Sequence, residues 1–136
     1  MLVVVYHEGI PMSGSQLIAM RIFLVDQQDC TLTPLTDLHV PLRPGSLLKW
    51  IGFSREGMLF SQDSSGNIRA LNLESNEWTS LSVSEIEEHR KVWPIGITNY
   101  ELLFWKTTDE DPEPTVAPRF NLKKGVFYIP TVGIYP

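Results

Sequence analysis

The sequence predicts an all-β fold of consecutive four-stranded antiparallel meanders, about three blades of a β-propeller, with at most one short helix. Three observations carry this expectation. Apolar runs are short and punctuated by Gly, Asn, Asp and Ser turn signals. The stretch from Leu47 to Leu73 packs three such runs and two turns into fewer than thirty residues. Finally, the Trp-led run Trp50-Ile51-Gly52-Phe53 is echoed by Trp93-Pro94-Ile95-Gly96-Ile97 about forty residues later, a spacing expected of propeller blades.

Leu2 to Tyr6 is a continuous β-branched run and reads as a strand covered on both faces. Gly9, Pro11 and Gly14 break it. Gln16 to Val25 has a helix-compatible composition, but Ile, Phe and Val gather toward its end and no C-cap follows, so it reads as a strand. After the turn at 26–29, Thr31 to Val40 contains Pro34 and fits an outer or edge strand. Leu47 to Phe53, Met58 to Ser61, Asn67 to Leu73 and Trp78 to Ser82 then form a meander, with turns at Arg55-Glu56-Gly57, Asp63-Ser64-Ser65-Gly66 and Ser75-Asn76-Glu77. Ile68, Ala70 or Leu71, and Leu73 are its candidate core positions. Such a sheet cannot bury both faces alone and must pack on neighbours of its own kind.

Ser84 and Glu87 have capping-box spacing, which suggests a short helix over Glu85 to Arg90. Glu101 to Lys106 and Val126 to Ile129 read as further strands, the latter led in by Lys123-Lys124-Gly125. Residues 107–118 form an acidic, Pro-rich loop that cannot pair in a sheet. The blade parts are placed at about 1–42, 46–83 and 92–136, one partial propeller segment that looks excised from a longer chain.

Composition bounds the function. At 136 residues, 43% hydrophobic and 20% charged, the chain is large enough to bury a core and too apolar to be disordered. A formal net charge of -5 argues against direct nucleic-acid binding by this segment. The lone Cys30 excludes an internal disulfide and fits a reducing compartment. The first apolar run is too short for a membrane span and lacks the features of a signal peptide.

No catalytic, cofactor or metal set emerges. His7-Glu8 starts like a metalloprotease motif, but no histidine follows at the required spacing. His39 and His89 lack ligand-spaced partners, and Asp109, Asp111 and Glu113 lack the glycine and terminal glutamate of a calcium loop. Asp63, Ser64 and Ser65 are explained by turn chemistry, with Gly57, Asp63 and Gly66 as the turn-defining residues. Cys30 follows an acidic turn with no cation beside it in sequence, which suits a structural thiol. Trp50, Phe53, Trp78, Trp93 and Trp105 read as packing between blades. Arg69, the one charged residue in its strand, reads as a solvent-side or inter-blade ion pair, or else a contact residue.

Several strings carry a family likeness. Val4-Val5-Tyr6-His7-Glu8-Gly9, Trp50 to Ser54 with Glu56-Gly57, Asp63 to Asn72, Trp78 and Trp93 to Ile97 together resemble the middle propeller of the chromosome-transmission-fidelity replisome adaptors, the acidic nucleoplasmic DNA-binding proteins with WD repeats and an HMG box. The resemblance implies a six-bladed propeller, a nuclear location and a non-enzymatic role in DNA replication. It also implies homotrimeric self-association and, in the full-length protein, links to the GINS component of the replicative helicase and to DNA polymerase alpha. Peptide capture belongs in that family to a helical bundle, and DNA binding to other domains, so neither is expected of these residues. Two alternatives stand beside this reading: a propeller-type hydrolase, which would need carboxylates or a Ser-His-Asp set converging on a funnel, and a generic interaction propeller unrelated to replication.

Overall fold

The computed structural model describes residues 1–10, 12–84, 86, 88, 91–110 and 122–129. Among them run ten strands in three antiparallel sheets. The first sheet holds β1 (Leu2–His7), β2 (Ile18–Asp26) and β3 (Thr31–His39) in that order. The second is the meander β4 (Leu48–Phe53), β5 (Leu59–Asp63), β6 (Ile68–Asn72) and β7 (Glu77–Leu81). The third holds β8 (Val92–Ile97), β9 (Glu101–Lys106) and β10 (Leu122–Val126), with β9 central. Three antiparallel sheets of three or four strands are consistent with propeller blades. The chain divides into two compact units, Met1–Leu48 and Lys49–Pro136.

In the first unit, residues directly opposite on neighbouring strands share a face. One face carries the rows Val5, Met20, Leu38 and Val3, Ile22, Thr36, with Met20 and Ile22 fully buried. The other carries Tyr6, Ala19, His39, then Val4, Arg21, Asp37, then Leu2, Phe23, Pro34. Leu2, Val4 and Tyr6 are 40%, 44% and 41% exposed, so β1 is not covered on both faces. Its apolar run half-buries alternate side chains only, Val3 and Val5, because the face that carries Leu2, Val4 and Tyr6 is open. β3 is the opposite edge, as its Pro34 requires. The register slips between Ile22 and Phe23, which leaves Leu35 unpaired beside the proline.

In the second unit, the β4–β7 and β8–β10 sheets share one core. Phe60, Ile68, Ala70 and Leu81 from one sheet meet Val92, Ile97, Leu102 and Phe104 from the other, together with Val83 and Phe127. Phe60 and Phe127 pack edge to face, their centroids 5.7 Å apart at 66°. Ile68 and Ala70 point into this core; Leu71 is buried as well, and Leu73 is only half-buried.

β10 starts at Leu122, four residues before the expected strand over Val126 to Ile129. Lys123-Lys124-Gly125 is therefore paired strand, not a lead-in, because Leu122 to Val126 lies in register against Trp105 to Glu101. Gly125 permits a close crossing: a Cβ there would sit 2.5 Å from the Ser84 carbonyl oxygen. On either side, the Ser84 amide donates to the Val126 carbonyl and the Val126 amide donates to Ser84 Oγ. Ser84 thus serves a strand bridge. The expected helix over Glu85 to Arg90 lies largely outside the described residues, as do residues 111–118 of the acidic loop.

Truncating Phe60 to alanine empties the centre of the shared core and should lower unfolding free energy by about 3–5 kcal/mol. Urea denaturation followed by tryptophan fluorescence measures this; a loss under about 1 kcal/mol would show that the two sheets do not depend on a common core.

Candidate functional site

Two turns of the meander share one construction. In each, a residue with a side-chain oxygen opens the turn and a glycine at positive φ closes it. Gly57, φ 90°, donates to the Ser54 carbonyl, and the Met58 amide donates to Ser54 Oγ. Gly66, φ 91°, donates to the Asp63 carbonyl, and the Asn67 amide donates to Asp63 Oδ1. Only glycine adopts these angles without strain, and the short oxygen-bearing side chain occupies the donors that the turn leaves open.

The Asp63 turn is sealed. Its carboxylate is fully buried; Oδ1 also accepts from the Ser65 amide at 3.0 Å, and Oδ2 accepts from Arg69 Nη1 at 2.9 Å. The Arg69 side chain is 11% exposed. The pair lies within one sheet and is buried, not on the solvent side or between sheets. Arg69, on β6, stands opposite Ser61, two residues before Asp63 on β5, which brings its guanidinium within reach of the carboxylate once the hairpin closes.

The Ser54 turn instead reaches the third sheet. Ser54 Oγ donates to Asn99 Oδ1 at 2.8 Å, the Asn99 amide donates to Glu56 Oε2 at 2.9 Å, and the Arg55 amide donates to the Ile97 carbonyl at 2.9 Å. Beside these bonds lies a cleft of about 270 Å³, with Met58, Leu71 and Leu73 as its apolar residues and Glu56, Asn72, Glu74 and Asn99 around them. At the opposite end of the β8–β10 sheet, a groove of about 280 Å³ is edged by Lys106, Lys123 and Lys124 over Val92 and Phe104. Nearby, Lys91 Nζ lies 3.2 Å from Glu88 and 3.5 Å from Asp109; its hydrogen bond to Glu88 raises its pKa above the ordinary lysine value.

The tryptophans are half-buried and serve different neighbours. Trp50 packs on the shared core, and its indole covers Gly52, where a Cβ would meet Cζ2 at 2.8 Å. Gly96 in the echoing run covers nothing comparable and follows a register slip, so the two runs match in position but not in this contact. Trp93 stands opposite Trp105, and Trp78 opposite Leu71. Lys49 Nζ lies 5.5 Å from the Trp93 ring centroid and donates to the Val92 carbonyl; burial lowers its pKa. Phe53 is 41% exposed at the end of β4.

On the outer face of the first unit, Arg21 grips Asp37 with two bonds, Nε to Oδ1 at 2.7 Å and Nη2 to Oδ2 at 3.1 Å. That hydrogen bonding holds the Asp37 carboxyl below its ordinary pKa and raises that of Arg21. His39 Nε2 pairs with Glu8 Oε2, which is the contact the His7-Glu8 motif makes. Cys30 is exposed in the β2–β3 turn at φ 52°. Among the described residues, no group of three or more His, Cys, Asp or Glu could hold a metal ion, and no helix is long and apolar enough to cross a membrane.

The family described as "Minichromosome loss protein, Mcl1, middle region" matches residues 1–131. The chain belongs to this family. The Mcl1-type middle region is 34% identical over 105 residues to the mouse (Mus musculus) WD repeat and HMG-box DNA-binding protein 1, covering 71% of this chain and 9% of that protein. The human (Homo sapiens) protein of the same name is 33% identical over 105 residues, with the same coverage. Protein ENHANCER OF LHP1 1 of Arabidopsis thaliana is 30% identical over 110 residues, covering 79% of this chain and 11% of that protein. The chain thus spans about a tenth of the length of the curated relatives it matches. The resemblance carried by the Trp50–Ser54 and Asp63–Asn72 strings is to this same family.

Asn99 and Glu74 had no signal in the sequence, since isolated polar residues in turns are unremarkable until two sheets bring them together. Glu56 was legible only as a turn residue.

Two outcomes follow. Replacing Asp63 with alanine strands a buried guanidinium and should cost about 3–5 kcal/mol, while Asp63→Ala combined with Arg69→Met should recover much of it. A thermal-melt double-mutant cycle with strictly additive losses would show that the two side chains do not act as a pair. Asp37 should titrate below the ordinary carboxylate range by carboxyl-carbon NMR. Its contribution is complete above the unfolded-state pKa and disappears as pH falls through the depressed folded value; Arg21→Gln should move the midpoint upward.

Proposed function

We propose that this segment is a non-enzymatic scaffold piece of a DNA-replication adaptor, contributing propeller structure and self-association to a longer nuclear protein that links helicase and polymerase components. Blade parts of residues 1–42, 46–83 and 92–136 belong to one six-bladed ring in this reading, with the tryptophans packing between blades. Family membership supports the replication role, through relatives named for WD repeats, an HMG box and DNA binding. GINS and DNA polymerase alpha are the partners for the full-length protein, and assembly is through copies of itself.

The observation that carries the scaffold reading is the outer face of the β1–β3 sheet. Leu2, Val4, Tyr6, Val25 and Leu32 stand exposed there around the Arg21–Asp37 pair, Leu32 at 53%. A sheet face of this composition gains by meeting another sheet at the usual spacing of about 10 Å. The side-chain oxygens of Ser54 and Asp63, by contrast, are engaged in holding the two meander turns and tying strands and sheets together.

Sedimentation equilibrium tests this directly. The chain should show concentration-dependent association, and Val4→Asp with Tyr6→Asp should shift it toward monomer while leaving the circular-dichroism spectrum unchanged. A well-behaved monomer at high concentration, insensitive to these substitutions, would remove self-association from the proposal.

A further inference from the structure

The cleft at the loop end of the second unit is built by two sheets and held by hydrogen bonds independent of any ligand. The Asn99 amide uses one oxygen of Glu56, and Asn72 Oδ1 accepts from the Glu74 amide. Each glutamate keeps at least one further carboxylate oxygen for another donor. Met58, Leu71 and Leu73 provide aliphatic surface, and neither lysine nor arginine lines the space. Its volume, about 270 Å³, falls just below the usual range for drug-sized ligands and suits one long side chain with the backbone beside it.

We infer that this cleft is a docking site for an arginine-bearing peptide segment of a partner protein. Arginine matches each part of the site: its methylene stem lies on the aliphatic residues, and its planar fork of N–H donors suits carboxylate acceptors. The site discriminates against acidic segments, since a third carboxylate would face Glu56 and Glu74 without a lining cation. The inference does not rest on self-association. All lining residues belong to one compact unit, whose two sheets already form the cleft.

The test uses the ¹⁵N-labelled chain and three capped pentapeptides, acetyl-Gly-Leu-X-Leu-Gly-amide, where X is arginine, norleucine or glutamate. The arginine peptide should shift the amide resonances of Gly57, Leu73, Glu74 and Asn99 in a saturable manner. Glu74→Lys should weaken that binding by at least about fivefold, the change expected when an exposed ion pair worth about 1 kcal/mol is removed. The glutamate peptide should give no saturable shift, and norleucine should bind more weakly than arginine. Equal binding of arginine and norleucine, shifts mapping to other residues, or no effect of Glu74→Lys would each overturn the inference. A spectrum of Glu74→Lys that retains the dispersion of the parent chain separates lost binding from lost fold, and Glu56→Gln, which keeps an acceptor for the Asn99 amide, provides an independent second variant.

Discussion

A single buried carboxylate governs the meander. Asp63 ends β5 with no exposure to water, a position that an ionised group occupies only when its oxygens are taken up by donors. The Ser65 and Asn67 amides fix the turn, and Arg69 supplies the opposite charge from the next strand. One side chain therefore determines both where the hairpin reverses and which residue of β6 faces β5. A one-residue slip would turn Ile68 and Ala70 out of the core and Arg69 into it. Such a pair contributes little as a source of net stability, but it penalises every other register heavily.

The core shared by the second and third sheets depends on that register. With Phe60 and Ala70 opposite one another, the β5–β6 face meets Val92, Leu102 and Phe104 from the neighbouring sheet. Polar groups then lock the sheets at their ends. Lys49 and Gln62 both donate to the Val92 carbonyl at one end, while Ser54, Arg55 and Glu56 engage Ile97 and Asn99 at the other. The opposite ends also differ in charge: glutamates edge the cleft near Asn99, three lysines and one glutamate, Glu88, the groove near Val92.

Much of this was legible in the residues themselves. Turn chemistry at Gly57, Asp63 and Gly66, and apolar runs between them, mark the strands of the meander because glycine and short polar side chains have few other uses at such spacing. The family likeness was legible in the same strings. Burial was not: Leu2 to Tyr6 reads as a doubly covered strand, yet its exposure depends on what lies beside it, a property of the whole sheet. Lys123-Lys124-Gly125 reads as a connection because lysine pairs and glycine are uncommon in strands. It is instead paired strand, because β9 offers open partners and only glycine fits beneath Ser84. Contacts such as Ser54 with Asn99 join positions 45 residues apart and have no local signature.

The pairing of Trp105 with Leu122 has a consequence for how this part of the molecule can change over time. Because β9 and β10 are neighbours, the chain leaves one strand and enters the other at nearly the same place. Lengthening the connection between two ends so anchored costs only about 0.6 kcal/mol for each doubling of its length. A change in the length of that connection is therefore a small charge on folding compared with any change in the apolar core that the second and third sheets share.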